Sequence, residues 1–569
     1  MIRPVFLGLL TVLGLSAQPV VNAVFNAASY ATLPQNNGQA IGNNVIAQGS
    51  IFVIFGTGLG PSSIAYATSL PLPTSVSGTS VSVSSGGQTV SAYVVYSLAT
   101  QVAAILPSNT PLGPATVTVT YNGQSSASSS GAKVTIAKQA PGMFTLNQQG
   151  TGPAAAQVAL SATNTPANDL TTPGTPGSVM ILYGTGFGPI SGPDNAPPGA
   201  VPANGTVTVT VGGVPAQVQY AGRSPQFAGL DQVNIQLPSN VPLGCYTPAV
   251  VTVNNVPSQD FVLSTASSQG SCVHPFGLSP AAEQTLDSGG TVNIGVFAAL
   301  RGVAAGITAE GAGGIFANAN ASQVFATYAN VLTHFNIDAF PVPENTCVVY
   351  DQLGGPSSLT IPDLSLIGEK ELLPTTPTTA LTLSGPNGAT VPILRAGPNG
   401  GYTWVNLIGA ATPAILGPGT WTLSGAGGPD IAAFSTSTSF PGNLNWTNMG
   451  NLASPPRTGV TMLWTGGGAN SAPDVLIAGN SSVYNLADPS QNRGKSFDCS
   501  VPASAGQYQI PASVLQQLPV AGSGETGFGS LSISNGGGSP FNATLVNGQK
   551  LDGGFFGFGE SLGQSVKWQ

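Results

Sequence analysis

Ionisable side chains are what this sequence has least of. Among 569 residues there are 12 Lys and Arg, 20 Asp and Glu, and 2 His. Charged residues are thus 6% of the chain, where about a quarter is usual. With a net charge of −8 there is no basic footprint for phosphates, which excludes nucleic acid as a partner. The 76 Gly and 48 Pro, with so little charge to coat a helix surface, argue against long helices and coiled coils. No apolar run of membrane-spanning length follows the N-terminal segment, so no membrane insertion of the mature chain is expected. What is present is apolar and hydroxyl-rich. Hydrophobic residues make up 41%, enough to bury cores and offset chain entropy, unlike a disordered tail. The widest gap in charge lies between Arg3 and Lys133, which holds no Lys, Arg, Asp, Glu or His. That stretch has no general acid or base of the usual kind. Its surface has to be built of hydroxyls and amides, whose contacts vary little with salt.

Met1-Ile2-Arg3, an apolar run from Val5 to Leu15, and Leu15-Ser16-Ala17 before Gln18 match an export signal at residues 1–17, too short to span a bilayer. A second cut after Val21-Asn22-Ala23 fits the same rule. The expectation is a secreted protein, extracellular, periplasmic or at the cell surface. The 4 cysteines then fall where disulfides persist. Of the three pairings open to them, Cys245–Cys272 is favoured because the two bracket one strand pair, which leaves Cys347–Cys499. Cys272-Val273-His274 is a rival hint of a metal, but no second CxxC or HxxxH accompanies it. No metal or cofactor is expected.

The first half repeats itself. Gly49-Ser50-Ile51-Phe52-Val53-Ile54-Phe55-Gly56-Thr57-Gly58-Leu59-Gly60-Pro61 returns at Gly177 to Pro189 with 7 of 13 positions identical. Gln101-Val102 through Leu106-Pro107-Ser108-Asn109-Thr110-Pro111-Leu112-Gly113 returns at Gln232 to Gly244. Alternating stretches such as Val81-Ser82-Val83, Val117-Thr118-Val119 and Val207-Thr208-Val209-Thr210-Val211 have the period of a sheet with one face buried and one wet. Gly86-Gly87, Asn122-Gly123 and Gly212-Gly213 punctuate them as turns, and Ile51 to Phe55 reads as a central strand. Short strands between Gly/Pro turns point to β-sandwiches. On these two blocks, with Gly213 to Gly222, the Gly244-Cys245 corner and the Ala140-Pro141-Gly142-Met143-Phe144 joint, the chain resembles the TIG/IPT-type immunoglobulin-like tandem repeats of large secreted bacterial proteins. The resemblance covers roughly residues 24–275. It implies structural or binding modules and brings no catalytic residue.

The expected class is all-β: tandem immunoglobulin-like sandwiches at 24–139 and 140–272, then β-rich domains with minor helix at 273–440 and 441–569, parting near Pro441-Gly442. Ser279-Pro280 starts a short helix, Val292 to Val303 is a strand, and Val324 to Tyr328 is read as a strand before a helical turn. Chemistry is thin. Gly559-Glu560-Ser561-Leu562-Gly563 matches a nucleophile elbow, yet both histidines, His274 and His334, precede it. Gly494-Lys495-Ser496 lacks the leading glycine of a phosphate loop, since Pro489 stands there. Trp404, Trp421, Trp446 and Trp464 could stack on sugar rings, although Trp on a sandwich strand usually fills the core. The reading is a non-enzymatic extracellular protein for structure, adhesion or binding. Its partner would be a neutral polysaccharide or another surface protein. A binder using those Trp residues is the alternative, and a glycoside hydrolase with a dispersed carboxylate pair is a remote one.

Overall fold

The computed structural model describes residues 18–29, 35–36, 39–40, 44–148, 150, 152–259, 261–304, 307–325, 346–351, 370–371, 380–395, 401–409, 414–440, 444–468, 474–486 and 492–569. The export signal expected at 1–17 lies outside them, as do His334 and the boundary expected at Pro441-Gly442.

The chain is all-β, and its two repeat copies are two sandwiches. In sandwich I, Val20–Asn26, Ile51–Thr57, Gln101–Ile105 and Tyr93–Leu98 form one sheet in that order, with Ala65–Tyr66 at its edge. Asn44–Ala47, Lys133–Ala137, Gly113–Tyr121 and Thr79–Ser85 form the other. These are the A-B-E-D and G-F-C orders of an immunoglobulin domain. Phe52, Ile54, Val83, Val102, Val117 and Val134 close the core between them. Sandwich II repeats the plan with Val179–Thr185 as B, Asp231–Gln236 as E, Val207–Val211 as C and Gly244–Val253 as F. Here one long strand, Val214–Arg223, pairs with both C and E and joins the two sheets.

Hydrogen bonding explains why the repeated blocks recur together. Ser50 Oγ donates to Ala47 O and Ser178 Oγ to Thr175 O, each at 2.7 Å. Gly49 and Gly177, at φ 72° and 82°, take the left-handed turn that favours glycine. Their N–H groups donate to Leu106 O and Leu237 O. The Gly-Ser block and the Leu-Pro-Ser-Asn block are therefore the two sides of one contact, made once per sandwich.

Beyond the sandwiches, Pro280–Asp287 is a helix with Ser279 Oγ accepting from Ala282 N and Pro280 in the first turn. Residues 321–325 are also helical, which corrects the strand expected at Val324 and Phe325; the remainder of that expectation, to Tyr328 and the helical turn after it, lies outside the described residues. Asn320 Oδ1 accepts from Gln323 N while Gln323 Oε1 accepts from Asn320 N, a reciprocal cap that starts a helix.

Among the described residues, the rest is dominated by a 13-stranded sheet. At its middle Thr526–Pro540, Gly553–Val566, Val292–Ala304, Ile307–Ala319 and Tyr402–Gly409 lie side by side. Strands from both sides of residues 441–443 share it. One core gathers Phe297, Phe316, Tyr402, Trp421 and Phe558; another gathers Trp446, Trp464, Phe497, Ile533 and Trp568. Glycine makes room for these rings: a Cβ on Gly538 would lie 2.5 Å from the Phe555 ring.

Candidate functional site

In a chain so poor in charge, the placement of each charge is informative. Three buried clusters take up many of them. The first lies between the sandwiches. Arg223, 1% exposed, stands opposite Asp231 on the neighbouring strand, with Nε 3.2 Å from Asp231 Oδ1. Its Nη1 donates to Gly49 O of sandwich I at 2.6 Å and its Nη2 to Gly188 O at 3.3 Å. Asp231 Oδ2 accepts from Phe187 N. Nearby, Asp194 accepts from the N–H and Oγ of Ser108 at 2.6 and 2.7 Å, and Thr185 Oγ1 accepts from Ile51 N. Burial pushes the Asp231 carboxyl up to about 6, against the pull of Arg223.

The second cluster joins sandwich II to the helix and the large sheet. Cys245–Cys272 is a disulfide inside a core shared by Tyr246 and Val262 of sandwich II, Leu286 of the helix and Val296 of the large sheet. His274 Nδ1 accepts from Phe276 N at 3.1 Å, so Nε2 carries the proton and donates to Tyr246 OH at 2.9 Å. Burial lowers this imidazole to about 3, which keeps it neutral. Glu283, fully buried, sits with Oε1 3.8 Å from Cys245 Sγ, and burial raises its carboxyl to about 7. Cys245, Cys272 and Glu283 are close enough to hold a cation. Both sulfurs are spent on the disulfide, however, and a disulfide sulfur is no thiolate ligand.

The two groups bias stability in opposite directions. Unfolded His274 takes a proton below about 6.5 and the folded ring does not, so its contribution is lost as pH falls. Folded Glu283 prefers its neutral form, so stability declines as pH rises from about 4.5 through about 7. Glu283→Gln is expected to raise the melting temperature at pH 8 by roughly 3 °C or more and to leave it nearly unchanged at pH 4.5. An equal shift at both pH values in thermal melts would assign the effect to packing rather than to the carboxylate.

The third cluster is a polar row across five adjacent strands. Asn406, Glu310, Arg301, Glu560 and Asn535 pair successively in register. Arg301 is ion-paired with Glu560 and donates to Leu416 O at 2.8 Å. Leu416 N donates back to Glu310 Oε1 at 2.6 Å, Asn406 Nδ2 to Glu310 Oε2, and Leu444 N to Glu560 Oε2. The two carboxylates thus fasten crossing segments to the sheet. Glu560 belongs to the GxSxG match, which lies within the strand Gly553–Val566 and has none of the strand-turn-helix geometry of a nucleophile elbow.

No family model and no curated protein matches the chain. Among solved structures, it is similar to the chicken CNTN1 FN1–FN3 domains at 7% identity and TM-score 0.12, covering 75% of this chain and 100% of that one. Domains A168–A170 of titin align at 9% identity and TM-score 0.12, over 68% and 89%. Dimeric latent PorU from Porphyromonas gingivalis aligns at 9% identity and TM-score 0.15, over 74% and 33%. At these scores none of them bears on function, and the immunoglobulin-like arrangement rests on the strand order itself.

Both expected disulfides are present, Cys347–Cys499 joining residues directly opposite on adjacent strands. The tryptophans are corrected. Trp421, Trp446 and Trp464 are 1%, 4% and 2% exposed, and Trp404 packs half-buried against the same core as Trp421. Trp421, Trp446 and Trp464 sit at inward positions of their strands, where apolar burial outweighs any surface role. Sequence reading missed Arg223 and Asp231. They stand where the first copy has Ala99 and Thr100, so comparing the two copies for charges present in only one would have found them.

Proposed function

We propose that this chain is an exported, non-enzymatic β-sandwich protein serving as a rigid extracellular scaffold or adhesive module. The observation that carries this reading is the use of its scarce charges. Arg223, Asp231, Glu310 and Glu560 are buried, and Arg301 is half-buried, in contacts that join strands, segments and sandwiches, instead of converging on an open cleft. Two disulfides and the signal-like N-terminus support export. The purified full chain is expected to show no turnover across glycosidase, esterase and protease substrate panels. Turnover abolished by Glu310→Gln or Glu560→Gln in a variant that still folds would overturn the reading.

A second reading, binding of neutral polysaccharide, is favoured by the charge-poor surface of sandwich I, where no Lys, Arg, Asp, Glu or His occurs before Lys133. Its G-F-C sheet sets Ser80, Ser82 and Ser84 opposite Thr120, Thr118 and Thr116. A cavity of about 490 Å³ lies there, lined in part by Ser84, Gln88, Thr89, Thr116 and Lys133.

A further inference from the structure

Glu283 differs from the other buried carboxylates. Asp231 and Glu560 are ion-paired with arginines, whereas no described Lys or Arg pairs with Glu283. The Ser271 hydroxyl bonds to its carboxylate, yet Oε2 is buried with no hydrogen-bond partner. Asp287, one turn along the helix, adds negative charge instead of compensating it. A carboxylate held this way is costly unless a cation joins it.

The geometry around it suits one. Cys245 Sγ, Cys272 Sγ and a Glu283 oxygen lie within 4.8 Å of one another, and all three residues are buried. Each comes from a different part of the fold. Cys245 stands near the start of the strand Gly244–Val253, Cys272 in the segment before the helix, and Glu283 in the helix Pro280–Asp287. Backbone bonds place both cysteines independently of the disulfide: Cys245 N donates to Val273 O at 3.3 Å and Cys272 N to Leu170 O at 3.0 Å. Around tetrahedral zinc, bonds of about 2.3 Å to sulfur and about 2.0 Å to oxygen set a sulfur and an oxygen about 3.5 Å apart and two sulfurs about 3.8 Å apart. Glu283 Oε1 is already 3.8 Å from Cys245 Sγ, and the two cysteine Cα atoms, 5.1 Å apart, leave reduced sulfurs room to separate.

We propose that the chain, in the reduced state in which it is synthesised, binds Zn2+ through Cys245, Cys272 and Glu283, and that the disulfide later takes the place of the metal. Two thiolates with one carboxylate select zinc over calcium and magnesium, which take oxygen ligands. The unpartnered Oε2 completes the fourth position as the second arm of a bidentate carboxylate. Binding releases the two thiol protons. The donors lie in the core that sandwich II shares with the helix and the large sheet, so the ion fastens the same three parts that the disulfide fastens afterwards. Oxidation by a disulfide-bearing partner moves two electrons from the thiolates to that partner, which takes two protons from solvent and becomes a dithiol. The Cys245–Cys272 bond forms and Zn2+ leaves.

The test is equilibrium dialysis of the full chain against Zn2+, before and after reduction by a water-soluble phosphine. Water supplies the oxygen of the phosphine oxide and the two thiol protons. The reduced chain is expected to take up zinc and the oxidised chain to take up none. Glu283→Gln removes a ligand while keeping the shape of the side chain. It is expected to weaken zinc binding by more than the roughly tenfold that loss of an outer-shell partner costs. Co2+ in place of zinc should give the absorption of tetrahedral thiolate coordination in the parent and lose it in Cys245→Ser with Cys272→Ser. Where reduction disturbs the near-ultraviolet spectrum, zinc is expected to restore it in the parent and not in Glu283→Gln. No uptake by the reduced parent overturns the proposal. So does equal uptake in both redox states, or parent affinity in Glu283→Gln, which would assign the metal to thiols outside this cluster.

Discussion

Arg223→Met is expected to lower stability by about 3–5 kcal/mol, because it strands the Asp231 carboxylate in the joint between the sandwiches. The guanidinium reaches Gly49 O on one side and Asp231 on the other, and both residues of the pair are almost completely buried. The loss should depend on pH with a defined sign. Burial already holds Asp231 up at about 6, above its ordinary value of about 3.9, so the folded state favours the neutral acid and stability falls as pH rises through this range. Without Arg223 that preference strengthens, so the variant should be hurt more at pH 8 than at pH 5. Combining it with Asp231→Leu should restore most of the loss, since an apolar pair can replace a buried ion pair at little cost. The readout is the shift of the affected urea transition, because a chain of several domains need not unfold in one step. A loss below about 1 kcal/mol, equal at both pH values, would mean that Ser108–Asp194 and Ile51–Thr185 hold the joint without the arginine.

Replacing Cys347 and Cys499 together with serine is expected to cost about 5 kcal/mol on the loop-entropy estimate, given their separation of 152 residues. The same estimate gives about 3.5 kcal/mol for Cys245 and Cys272, separated by 27. Among the described residues Thr346–Asp351 pairs only with Arg493–Pro502, so the covalent link adds most where that pairing is one-sided. Denaturant midpoints of the two double variants should fall in that order. The reverse order would show that contacts around Cys245, in the core shared with Tyr246 and His274, outweigh chain entropy.

Much of the molecule was legible in the order of its residues, for identifiable reasons. The two sandwiches could be read because strand alternation is local and the duplicated blocks mark the B and E strands twice. The helix at Pro280 was legible because serine and proline carry the cap chemistry themselves. The helix at 321–325 was misread because Val324 and Phe325 suit either element, and the deciding signal was the Asn320–Gln323 pair. For the tryptophans the sequence favoured the core and left sugar stacking as the alternative, because a ring can do either and only the facing sheet decides which.

The sequence alone determined the all-β class, the duplication and the charge-free stretch from residue 4 to residue 132, since each follows from composition or from contacts between near neighbours. Tertiary structure decided which charges meet. Arg301 and Glu560 are separated by 259 residues, and Gly49 and Arg223 by 174. Such partners are set by strand order and register, and a charge far along the chain carries no local mark of the partner it will be folded against.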